Sequence, residues 1–82
     1  MGRIIDGENK NVVGKRVHQF RTEKNWSQEQ LSIKLETVAV YICRGSIARI
    51  ENQSRTVTDF ELYGLSKVFD RPIESFFEDD DT

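Results

Sequence analysis

Two guanidinium groups, Arg44 and Arg49, stand in the stretch Cys43-Arg44-Gly45-Ser46-Ile47-Ala48-Arg49-Ile50-Glu51-Asn52. Wound at 3.6 residues per turn, this stretch puts Ile47 and Ile50 on one face, while Arg44, Ser46 and Arg49 point elsewhere. A short helix that anchors through two isoleucines and shows two fixed cations on its other side suits contact with an anion. A helix that recognises DNA is expected. Cys43 takes the N-cap position, where Ser, Thr or Asp would serve better.

Other chemistry finds little support. Ser46, Ser54 and Thr58 have no His or Lys at a spacing that would supply a base, and no glycine-rich phosphate loop is present. No enzyme is expected. His18 has no second ligand at metal spacing and Cys43 has no Cys or His neighbour, so neither a metal nor another cofactor is expected. Cys43 beside Arg44 at a helix N-terminus has reason to favour its thiolate.

The 82 residues allow one domain with a small core. Charged residues at 32% and hydrophobic ones at 37% describe an ordinary globular chain. A single cysteine forms no internal disulfide and fits a reducing compartment. No apolar run is long enough to span a bilayer and no basic-then-apolar leader opens the chain, so a cytoplasmic location without membrane association is expected.

The net charge of −2 hides an asymmetry. Residues 58–82 carry eight of the 14 acids against only Lys67 and Arg71, which leaves six acids and ten bases in residues 1–57. A basic front and an acidic rear would orient the molecule toward a polyanion.

Residues 1–10 show no period and are expected to form a flexible N-terminal arm. Within it, Ile4 and Ile5 are available to a partner chain and Arg3 and Lys10 to DNA. From Asn11, a natural cap, to Lys24, the positions Val13, Val17 and Phe20 form one helical stripe. Asn25 suits the left-handed turn that would end it. Ser27 with Gln30 reads as a capping box, with Trp26 able to staple onto Leu31. The second helix should bury Leu31, Leu35 and Ile33, with the small Ser32 permitting close approach of another helix.

In residues 36–42, Val38, Val40 and Ile42 alternate like a strand, but a lone strand would have no partner. A slightly lengthened second helix followed by an extended apolar connector is expected. Thr58 with Glu61 makes a second capping box, and Phe60, Leu62, Tyr63, Leu65, Val68 and Phe69 supply a broad apolar face. Asp70-Arg71-Pro72 stops that helix. A short apolar helix with Ile73, Phe76 and Phe77 follows, before an acidic tail at 78–82.

Taken in order, Ser27-Gln28-Glu29-Gln30-Leu31, Lys34-Leu35, Ser46 to Asn52, Thr58 to Leu62 and Ile73 to Phe77 resemble the lambda-repressor-like (Xre/Cro-type) helix-turn-helix family. The resemblance covers residues 11–77 and implies an all-α, compact five-helix domain. Two features depart from the family pattern. The usual short glycine-containing turn after Leu35 is a lengthened connector, and the glycine usual after the Glu-Asn pair is Gln53.

The resemblance implies a sequence-specific transcriptional regulator, a repressor by expectation, whose recognition helix (about 44–52) enters the major groove of double-stranded DNA. It implies that Arg44, Gly45, Ser46 and Arg49 face base edges, that Gln28 meets a phosphate at the second helix's N-terminus, and that Asn52 and Arg55 hold the backbone. It also pairs Arg21 with Glu51 as scaffold. A domain this small makes few base contacts, so a homodimer on a pseudo-palindrome is expected, joined through Phe76, Phe77 and the arm. The competing expectation is a protein-interaction module on the same fold, antitoxin-like or binding another regulatory protein, with weak or no DNA binding.

Overall fold

The computed structural model describes residues 9–77; the acidic tail and all but the last two residues of the arm lie outside them. Among these residues there are four α-helices and one 3-10 helix, with no strand. They run α1 (Gly14–Glu23), α2 (Gln28–Glu36), α3 (Arg44–Glu51), α4 (Asp59–Phe69) and the 3-10 helix (Ile73–Phe77). The last element is one tight turn of hydrogen bonds where a fifth helix was expected. No helix is long and apolar enough to cross a membrane.

Local chemistry sets the helix starts. Asn11 serves α1 from three residues outside it: its Oδ1 accepts from the N–H groups of Val13 (3.1 Å) and Gly14 (2.8 Å). The helix proper therefore starts at Gly14 and not at Asn11. Both capping boxes form. Ser27 Oγ accepts from Gln30 N–H while the Gln30 side chain accepts from Ser27 N–H, and Thr58 and Glu61 repeat the exchange.

The helix ends share one device. Asn25, Ala39, Gln53 and Asp70 all have positive φ, and none is glycine. After each, an N–H reaches the carbonyl five residues back: Trp26 to Arg21, Val40 to Leu35, Ser54 to Arg49 and Arg71 to Ser66. These are Schellman closures, which satisfy carbonyls that the helix itself leaves open. Gln53 stands in the expected glycine's place, and its amide donates to the Asn11 carbonyl at 3.1 Å. That bond helps hold a conformation unfavourable to a residue with a Cβ.

The core gathers Val13 just before α1, Val17 and Phe20 of α1, Leu31 and Leu35 of α2, Ile42, Ile47 and Ile50, then Leu65 and Phe69 of α4 and Phe76. Phe76 meets Phe20 edge-on at 5.1 Å, and Trp26 stacks on Phe69 at 5.7 Å. Two helix contacts depend on a missing side chain. A Cβ on Gly14 would collide with the Ile50 carbonyl oxygen, and one on Gly64 would come within 2.7 Å of Val40 Cγ2. Gly14 thus lets α1 meet the end of α3, and Gly64 lets the connector lie on α4.

Several expected core positions are not in the core. Ile33, Phe60 and Tyr63 are exposed, because no element covers those sides of α2 and α4. Phe76 is fully buried and cannot serve as a contact with another chain, whereas Phe77 is exposed. The second helix stops at Glu36, and its expected lengthening is only a turn through Ala39. The connector then runs without helical or ladder hydrogen bonds to Cys43, with Ile42 buried and Tyr41 outside. Ser32 Oγ donates to the Ile42 carbonyl at 2.6 Å and so ties the connector to α2.

Candidate nucleic-acid interface

Helix α3 begins after Cys43, whose backbone is extended in the manner of an N-cap though its side chain makes no capping bond. Ile47 and Ile50 are each 1% exposed and hold the helix down. Arg44, Gly45 and Arg49 are exposed on its remaining surface, and Ser46 is half-buried. Arg44 has no hydrogen-bonding or ionic partner among the described residues. Arg49 Nη2 donates to Ser46 Oγ at 3.0 Å, which orders the guanidinium beside the helix without neutralising it. Nothing lies within 4 Å of where a Gly45 Cβ would be, so the backbone there is open to close approach.

Cys43 Sγ sits 3.4 Å from Ser46 Oγ. Hydrogen bonds from the Ser46 hydroxyl and from backbone N–H groups of the first turn, with the charge of Arg49, lower the thiol's pKa.

The orientation of α3 is set by its last residue. Glu51, with a side chain only 7% exposed, receives Arg21 Nε on Oε2 at 2.6 Å and Arg21 Nη2 on Oε1 at 3.0 Å. Gln28 Nε2 donates to Oε1 at 3.2 Å, and His18 Nδ1 lies 3.0 Å from the same oxygen. Arg21 Nη1 also donates to the Trp26 carbonyl at 2.7 Å. One carboxylate thereby joins α1, the start of α2 and the end of α3. Burial pushes the Glu51 carboxyl up, but the bonds from Arg21, His18 and Gln28 outweigh it and leave its pKa below the ordinary value.

The structure brings Arg44, Gly45, Ser46 and Arg49 together on one helix surface. Gln28, the first residue of α2, is half-buried with its amide turned to Glu51, so its side chain takes part in the scaffold. Any anion at this end of α2 would meet the free N–H groups of its first turn. Asn52 caps α3, and its Oδ1 accepts from Ser54 N–H at 3.1 Å; its amide nitrogen has no partner among the described residues.

Arg55 is placed differently from the expectation. Its two terminal nitrogens meet the two Glu61 oxygens at 2.9 Å each, and Nη1 also donates to the Thr56 carbonyl at 2.8 Å. The guanidinium locks the loop between α3 and α4 onto the α4 capping box. Hydrogen bonds from Arg55 hold the Glu61 carboxyl below the ordinary range against the opposing effect of burial.

Asn11 is the residue whose reach the sequence understated. Besides capping α1, its Nδ2 donates to the carbonyls of Ile50 (3.1 Å) and Arg55 (2.8 Å) and so fastens the C-terminal end of α3. Only its capping character was visible in the chain. No cluster of three or more His, Cys, Asp or Glu capable of holding a metal occurs among the described residues. No protein-family model matches the chain, and no curated protein matches it either.

Proposed function

We propose that this chain is a sequence-specific DNA-binding transcriptional regulator of the lambda-repressor-like helix-turn-helix type, a repressor working as a homodimer. Helix α3 lies in the major groove, with Arg44, Gly45, Ser46 and Arg49 at the base edges. The phosphates on either side fall to the N-terminus of α2 at Gln28 and to the Asn52 amide. Arg55 acts from behind, as the clamp on the loop that follows α3. The chain binds and does not catalyse.

One observation carries this reading: α3 shows two uncancelled guanidinium groups outward while three other points of the fold fix its inner side. Those points are the buried Ile47 and Ile50, the Arg21–Glu51–Gln28 network, and the Asn11 bond to the Ile50 carbonyl. A rigid helix presenting planar bidentate donors is what direct readout of guanine requires.

The test is a selection of bound duplexes from a random pool, followed by fluorescence anisotropy on the selected and on random duplexes. The wild type should favour the selected duplex, with log K falling linearly in log salt at a slope near −0.9 per phosphate neutralised. The Arg44→Ala/Arg49→Ala double variant should lose that preference. Equal binding of both duplexes by wild type and variant, or no binding by either, overturns the proposal.

A further inference from the structure

Between the connector and α4 runs a groove lined by Val38, Val40, Tyr41, Phe60, Tyr63 and Lys67. Phe60 is 78% exposed and Tyr41 is 77% exposed, the two most exposed large apolar residues among those described. Single exposed apolar residues are ordinary, but a contiguous aromatic set along one groove marks a contact surface.

The charges on that face of α4 point to the occupant. Asp59, Tyr63 and Lys67 follow one another at i, i+4 and i+8, so they share a side of the helix, with Phe60 beside them. All four are exposed. Lys67 Nζ lies over the Tyr63 ring at 5.0 Å from its centroid. Glu61, the other nearby acid, is already neutralised by Arg55. The open charges are therefore one acid at the start of α4 and one base about 12 Å further along, with Tyr63 midway.

That pattern is its own complement under a two-fold rotation. When two α4 helices lie antiparallel about an axis at Tyr63, Asp59 of each copy faces Lys67 of the other. Phe60 of each copy then meets the groove of the other. We propose that this groove and the exposed side of α4 form the homodimer interface, with a second copy of this chain as occupant. The proposal deepens the homodimer part of the function above and rests on it there alone.

Analytical ultracentrifugation of the full chain without DNA tests it, with helical circular dichroism confirming that each variant folds. The wild type should be a reversible dimer. Asp59→Lys and Lys67→Glu should each weaken self-association by roughly tenfold or more, since each sets like charges across the axis. Mixed in equal amounts, the two variants should associate with each other, and the double variant should dimerise again. Phe60→Ser, changed at a position exposed in the single chain, should weaken the dimer by a similar factor and decides the matter if a charge variant unfolds.

A wild type that remains monomeric, a dimer indifferent to these changes, or single variants that do not associate on mixing would overturn the proposal. None of those results decides whether α3 reads base edges, which the duplex selection tests separately. Conversely, loss of duplex preference by Arg44→Ala/Arg49→Ala leaves the sedimentation result as it stands.

Discussion

Arg21 and Glu51, thirty residues apart, meet through two parallel hydrogen bonds of 2.6 and 3.0 Å in a site where their side chains are 11% and 7% exposed. Because Arg21 also holds the Trp26 carbonyl and Glu51 also holds Gln28, this pair fixes the angle between the second and third helices. Removing one member leaves the other charged and half-enclosed, which costs about 3–5 kcal/mol. Total stability for such a domain is only about 0.05–0.15 kcal/mol per residue. Arg21→Ala should therefore lose a large share of the fold's stability, and urea denaturation followed by circular dichroism measures it.

This pair and the Arg55–Glu61 pair together set the response to acid. Glu51 and Glu61 both bind a proton more weakly in the folded chain than the ordinary carboxyl does. Their stabilisation is complete above the unfolded glutamate pKa of about 4.3 and is lost as the pH falls through their lowered folded values. Stability measured from pH 7 down to pH 2 should fall on this acid side. In Glu51→Gln the fall should be shallower, from a lower starting point at pH 7. An equally steep acid limb in that variant would contradict the assignment.

Two glycines should respond oppositely to one added methyl group. Gly14→Ala forces a Cβ into the Ile50 carbonyl oxygen and should cost at least about 1–3 kcal/mol as α1 and α3 are pushed apart. Gly45→Ala meets nothing within 4 Å and sits in the first turn of α3. It should raise stability by about 0.5–1 kcal/mol through helix propensity. If Gly45 lies against base edges, the same change weakens binding of the selected duplex. Thermal melting and anisotropy on one preparation separate the two effects.

Ala39 closes α2 at a φ of 63°, a conformation a glycine adopts without steric cost. Its N–H bonds the Glu36 carbonyl, and that bond survives substitution. Ala39→Gly should stabilise the fold by about 0.5–1 kcal/mol, the relief of strain exceeding the added freedom of the unfolded chain. A lower midpoint in urea would show that the connector does not hold this conformation in solution.

The arginines on either side of Asn52 should separate binding from folding. Arg44→Ala should leave the melting temperature almost unchanged and weaken the selected duplex by about 1–3 kcal/mol. Arg55→Ala removes the clamp on Glu61 and should cost about 1–2 kcal/mol of stability. Its effect on duplex affinity should be smaller than that of Arg44→Ala when both are measured well below the melting temperature. A reversed order would move Arg55 to the proposed DNA-contacting surface.

The order of the helices, both capping boxes, the left-handed Asn25 and the inward Ile47 and Ile50 were legible in the chain. Each depends on residues within a turn or two of one another, where period and cap chemistry suffice. The outward placement of Phe60 and Tyr63 was not legible, nor was the burial of Phe76. The apolar stripe of α4 is wider than the surface its neighbours cover, and only the packed neighbours determine which part is left over. Gly14 and Gly64 matter for a contact made with backbone or side chain far along the chain, and no local pattern marks such a contact. Arg55 carries the same lesson for charge: the residue type announces a cation, but its distance from Glu61 in space determines whether that cation is free. The chain by itself determined the order of the four α-helices and which charges exist; tertiary packing alone decided which of those faces and charges remain open to another molecule.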